Sequence, residues 1–301
     1  MSNAFCDLVG TTLPLQMAAM TRVATPGLVA AVANTGALGM MAVGRSSIAD
    51  ANKQIDEIEA MTSGVFGGGF IVPYLSMETL DVISQRLNII EYFYGWPDPA
   101  LVLPGKIIGW QVGTAEEARA AVDAGCSYVI AQGYEAGGHV RGTVPLADLL
   151  PAARAAVDVP VLASGGIGSA EQVRAAMSRG ADAVRIGTRF LAATEADTHP
   201  IYLDLLLKAT ELDTEYCGLF DVGWPDAPVR VLASAAAAAR LPGPDPVGEL
   251  AGRALPRRGT TPPSRSTTGQ IEAMALYAGT SVGGVTKTQS AAGIIHELLG
   301  A

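Results

Sequence analysis

A chain of 301 residues, 49% hydrophobic and with a formal charge of -9, can bury a large core and is too long for a single-layer miniature fold. With a pI near 4.8 and no Lys/Arg cluster beyond Arg257-Arg258, it offers no polyanion-binding face, so nucleic acid is not an expected partner. Three widely spaced cysteines, Cys6, Cys126 and Cys217, match neither a zinc ribbon nor a CxxC pair; no metal is expected, and the thiols read as reduced.

The first ten residues, MSNAFCDLVG, carry an acid and no basic region ahead of an apolar stretch, which argues against a secretory signal and for the cytoplasm. LPLQMAAM (13 to 20) is the first strand candidate. Residues 23 to 44 are uncharged for about the length that spans a bilayer. Pro26, Asn34 and interspersed Thr and Gly break the run, however, so it reads as a buried helix turning into a buried parallel strand, ALGMMAVG (37 to 44), with no membrane involved. Further strands are predicted at 66 to 72, 89 to 95, 106 to 113, 127 to 133, 160 to 166 and 183 to 190. Between them lie helical segments such as SIADANKQIDEIEAM, METLDVISQRL, TAEEARAAVDAG and SAEQVRAAMSRG, several opening on a Ser or Thr cap.

Eight strand-helix units in about 210 residues predict an α/β fold, a (β/α)8 TIM barrel over 1–212. A doubly wound sheet would want GxGxxG at its first turn, where this chain has AAMTRVATPG. From 213 to 270 the pattern changes, with GWPDAP, ASAAAAAR and LPRRGTTPPSRSTTG. This segment is expected to be a smaller helix-loop subdomain on the barrel, its proline-rich part 241–269 either packed or partly disordered. Residues 271–301 then return to the barrel. GWPD occurs at 95–98 and 223–226, without flanking similarity that would make it a repeat.

Such barrels build their sites at the C-terminal strand ends and hold phosphate on the loops after strands seven and eight. Here those loops are ASGGIGSAEQ and RIGTRFL, which makes Ser164, Gly165, Gly166, Gly187 and Thr188 the expected phosphate cradle. His139, behind two glycines after the sixth strand, faces the same mouth and is suited to moving a proton. Glu135 reads as a carboxylate bracing that loop by accepting backbone N–H bonds. His199 reads as a helix cap, His296 as a surface or packing residue, and Tyr277 and Ser281 as wall residues. Met20 is expected at the barrel mouth.

AQGYEAGGH, PVLASGGIGSAEQVRAAMSRGADAVRIGTRFLAATEA and the following HPIY together resemble the nitronate monooxygenase family, formerly the 2-nitropropane dioxygenases. The likeness runs from LPLQMAAM through MALYAGTSVGG and is strongest from 127 to 200. It implies an FMN-dependent TIM barrel that oxidises alkyl nitronates or nitroalkanes with O2 to a carbonyl product and nitrite, without NAD(P)H. It also implies His139 as catalytic base, Gln132 and Gly137 against the flavin, and the GGI and GTRF segments on the phosphate. Where the family usually reads APM at strand one, this chain has Ala18, Ala19 and Met20, which puts Ala19 and Met20 at the flavin. Where many relatives carry an Asn at strand three, it has Gly67, Gly68 and Gly69. The same motifs resemble a flavin-dependent enoyl reductase and an NAD(P)H:quinone reductase, so nicotinamide-driven reduction is the alternative. The expected partners are a small-molecule substrate and O2, and homo-oligomerisation is compatible with the sequence.

Overall fold

The apolar runs fold as the eight parallel strands of a (β/α)8 barrel in a computed structural model that describes residues 3–300. They are β1 (Leu15–Met17), β2 (Gly39–Ala42), β3 (Phe66–Ile71), β4 (Ile89–Phe93), β5 (Ile107–Val112), β6 (Tyr128–Gln132), β7 (Val161–Ser164) and β8 (Ala183–Ile186). Each pairs in parallel with its sequence neighbour from β2 to β8, and β1 pairs with β8, Gln16 opposite Arg185. The ring closes where Leu38 N donates to Leu15 O and Met17 N donates to Leu38 O, both at 2.9 Å. All four quoted helical segments form, over Ile48–Met61, Met77–Ser84, Ala115–Ala124 and Ala170–Ser178. Ser47, Ser76, Thr114 and Ser169 cap them by accepting a backbone N–H three residues on, each cap contributing about 1 kcal/mol.

Strand side chains alternate between bore and outer face, and in this barrel the alternation sorts them by polarity. The lower bore is filled by Leu38, Met40, Ile89, Tyr128, Ile130, Leu162 and Ala183, plugged from below by Phe5 and Val9 of the helix Ala4–Val9. Two residues further along the same strands the inward positions become Ala42, Glu91, Gln132, Ser164 and Arg185, all bordering one cavity. The outward positions, with the surrounding helices, make the larger apolar cluster.

Residues 213–270 differ from the helix-loop expectation. The alanine run is a helix, Ala233–Arg240, but most of the remaining order is β. Thr214–Cys217, Val229–Leu232 and the short strand Gly138–His139 form one antiparallel sheet; Gly248–Leu250, Arg253–Leu255 and Thr268–Gly269 form another. Two-residue hairpins of this kind need positive φ at both turn positions, and Ala251 and Gly252 supply 49° and 77°. Strands of two to four residues, turned by Ala-Gly rather than Asn-Gly, leave too short a pattern for alternation to be read. Pairing of Gly138–His139 with Val229–Arg230 also stitches the loop after β6 to this segment. No helix among the described residues is long and apolar enough to cross a membrane.

Gly109 faces Tyr128 across the β5–β6 ladder, and a Cβ there would collide with the Tyr128 ring and stand 2.6 Å from its hydroxyl. Gly109→Ala is therefore expected to cost about 1–3 kcal/mol through overpacking, read as a lower urea midpoint at unchanged m-value.

Candidate functional site

Over the C-terminal ends of the strands opens a cavity of about 1250 Å³. Ala19, Met20, Gln132, Gly137, His139, Ser164, Gly165, Gly166, Gly187 and Thr188 all line it, so the fold brings the residues expected at the base and cofactor sites to one place. Pockets for a single small ligand typically measure about 300–1,000 Å³, and this cavity is larger than that.

His139 is 8% exposed and sits among aromatic rings. The Trp224 ring centre is 3.9 Å from that of the imidazole, Tyr277 5.7 Å and Tyr94 6.3 Å, all edge-on. Burial among them pulls the imidazole pKa from its usual 6.5 down to about 3, because desolvation penalises the cation. His139 Nδ1 is enclosed without a hydrogen-bond partner, a cost of about 1–3 kcal/mol.

The loop carrying His139 is fixed from three sides. Gln132 Nε2 donates to His139 O at 3.1 Å, so this amide positions the histidine backbone while bordering the cavity. Arg141 Nη1 donates to Gly95 O at 2.7 Å and Arg141 Nη2 pairs with Glu117 Oε1 at 2.9 Å, so the cation two residues beyond the histidine is spent on the scaffold. Glu135 Oε2 accepts from Leu146 N at 2.9 Å, the bracing role expected of it. His199 caps the helix Pro200–Lys208 and His296 is exposed.

Two glycines shape the loop after β7. Gly165 and Gly166 adopt φ of +108° and +68°, which an L side chain rarely takes. A Cβ on Gly165 would stand 3.0 Å from Ala136 N, and one on Gly166 3.2 Å from Thr280 Oγ1. Across from them Thr188 Oγ1 accepts from Gly279 N at 3.0 Å, drawing the 277–281 segment over the site.

Sequence reasoning passed over the bore-facing charges. Glu91 of β4 and Arg185 of β8 meet at 2.7 Å beneath the cavity, and Glu91 Oε1 also accepts from Gln16 Nε2 at 2.6 Å and Tyr128 OH at 2.8 Å. They are the only charged residues in the eight barrel strands, a signal that was legible. Trp224 and Tyr94 were missed as well; Trp224 comes from the second GWPD, on a loop whose approach to His139 depends on long-range pairing.

A nitronate monooxygenase profile matches residues 2–97 and 101–300, nearly the whole chain. The chain belongs to the nitronate monooxygenase family. As such it is an oxidoreductase, and the family and its structural neighbours make its chemistry flavin-dependent. A probable nitronate monooxygenase of Bacillus subtilis is 31% identical over 266 residues, covering 72% of this chain and 77% of that protein. FabK from Thermotoga maritima superposes with a TM-score of 0.81 at 28% identity, over 100% of this chain and 96% of that one. Nitroalkane oxidase from Streptomyces ansochromogenes gives 0.77 at 26% identity, over 98% and 96%.

The residues present fit a phosphorylated flavin. Gly165 and Gly166 line the cavity on the turn that leads into the helix Ala170–Ser178, whose dipole favours an anion at its N-terminus, and the polar bore layer lies below an open cavity.

The His139 pKa also fixes a pH dependence of stability. Between about pH 6.5 and 3 the unfolded chain binds a proton at His139 that the folded chain does not, so stability falls as pH drops through that window. In urea titrations compared at several pH values, His139→Asn is expected to flatten this slope by up to about 1.4 kcal/mol per pH unit. Equal slopes for the two proteins would mean the imidazole is protonated in the folded state.

Proposed function

We propose that this family member binds FMN and oxidises alkyl nitronates with O2 to a carbonyl compound and nitrite. The observation that carries the reading is the convergence of a buried neutral imidazole and two glycine turns on a single cavity. Ser164, Gly165, Gly166, Gly187 and Thr188 hold the phosphate, while Ala19, Met20, Gln132 and Gly137 border the ring system. The flavin, when bound, supplies the electron transfer that the side chains cannot.

The chain's own residues supply the rest. Trp224, Tyr94 and Tyr277 exclude water around His139, so polar contacts with substrate gain strength there. Since Nδ1 is enclosed, the nitrogen that meets substrate is Nε2. With a preformed nitronate, Nε2–H donates to a nitro-group oxygen and holds the anion. With a neutral nitroalkane, the tautomer bearing its hydrogen on Nδ1 lets Nε2 accept the proton from the carbon beside the nitro group. The developing nitronate then stands next to the imidazolium and offsets its desolvation. The lowered pKa makes this second task the harder one, so the site is better matched to nitronates than to nitroalkanes.

A second reading, nicotinamide-driven reduction of a quinone or enoyl thioester, draws support from the closer superposition on FabK than on nitroalkane oxidase. Anaerobic mixing with NADH or NADPH separates the two. Slow or absent bleaching of the bound flavin supports the monooxygenase, and rapid bleaching supports the reductase.

His139→Asn is expected to retain FMN and lose about 10²–10⁴-fold in turnover of neutral nitroalkanes, with a smaller loss on nitronates, in oxygen-uptake assays. Unchanged turnover on both substrates would remove His139 from the mechanism. Gly166→Val, which places a branched side chain at φ +68° in the cradle, is expected to weaken FMN binding at least tenfold by fluorescence titration.

A further inference from the structure

The Glu91–Arg185 pair has no part in the chemistry above, yet it occupies an unusual position. The ring order β1-β8-β7-β6-β5-β4-β3-β2 puts β4 and β8 on opposite sides, so the ion pair bridges the full width of the bore. Both residues line the cavity, and both side chains are more than nine-tenths buried.

The two charges are not equally screened from what lies above. Glu91 Oε1 accepts from Gln16 and Tyr128, and Glu91 Oε2 accepts from Arg185. Both carboxylate oxygens are thus engaged. Arg185, in contrast, commits only Nη1 to Glu91, and its side chain lines the cavity. A ligand resting on the polar bore layer therefore meets a guanidinium fixed in place by Glu91, which engages it through Nη1 alone. Arg185 is also paired in register with Ser164 of the cradle and sits two residues before Gly187, which places it beside the cofactor site.

We infer that Arg185, held in place by Glu91, is a positioning charge of the cofactor site that favours the reduced flavin and raises its midpoint potential. The inference rests on the flavin reading above. Reduction delivers two electrons and one proton to the neutral oxidised ring and leaves it with one negative charge. A buried guanidinium favours that anion in a medium where charges are weakly screened. Catalysis would benefit because the ring accepts electrons from the nitronate more readily.

The test is a dithionite titration of flavin-loaded protein, with the midpoint potential read against a reference dye. Arg185→Gln is expected to lower the ratio of affinities for reduced over oxidised flavin at least tenfold, about 30 mV for a two-electron couple. Glu91→Gln removes the counter-charge and is expected to shift the potential the opposite way. Arg185→Lys, which keeps the charge, should fall closer to wild type than Arg185→Gln, and with Glu91→Gln it carries the test if Arg185→Gln does not fold. A lowered melting temperature with unmoved potentials in the folded variants would make the pair structural and overturn the inference. So would a raised KM for nitronate at unmoved potential, which would assign Arg185 to substrate binding. Wild-type protein that takes up no flavin would instead overturn the flavin reading itself, and this inference with it.

Discussion

Closure of a parallel sheet into a ring leaves no freedom about which side chains share its bore, because every second residue of every strand must point there. In this chain that constraint sets the functional site. Apolar residues fill the lower positions and polar residues stand two places above, at the level where the loops begin. The seal below and the floor of the cavity above are successive inward layers of the same strands. A register slip of one residue in β4 or β8 would move Glu91 or Arg185 from the bore into the apolar layer under the helices, so the fold and the site are specified together.

In the proposed reaction His139, above this floor, is under two opposing demands. Proton transfer calls for a ring that can become charged, while the enclosing Trp224, Tyr94 and Tyr277 oppose the charge. The conflict is eased when the substrate is itself the anion. Neutral imidazole then needs only to donate a hydrogen bond, and an aromatic enclosure strengthens that bond while keeping water from competing. The same enclosure ties the site to the segment after residue 213, since Trp224 belongs to it and the strand carrying His139 pairs with Val229–Arg230.

The barrel was legible because long parallel sheets buried on both faces produce uncharged runs whose spacing, with capped helices between them, admits few folds. All eight strands lie within the expected ranges. The meeting of His139 and the two glycine turns at one mouth was legible because glycine pairs at strand ends narrow the options. The β-structure of 213–270 was not, since its strands are only two to four residues long and their partners are distant: Val229 answers His139, ninety residues earlier. Trp224 was hidden for the same reason. Glu91 and Arg185 are a different case, because a lone acid in IIEYF and a lone base in AVRI were visible in buried strands. What the sequence withheld was that β4 and β8 face each other across the ring.

That pairing is poorly explained by stability. Bringing two charges out of water costs several kcal/mol per ion, and replacing a buried pair with apolar residues of similar volume is often neutral or stabilising. The layer just below shows that the bore accepts such residues, with Ile89 and Ala183 on the same two strands. Glu91 also draws Gln16 and Tyr128 into its network and leaves Gln16 Oε1 buried without a partner, a further cost. An arrangement that spends this much desolvation where Ile and Ala would fit places a cation at a fixed depth under the cavity. It is the ligand above, rather than the barrel around it, that gains from that placement.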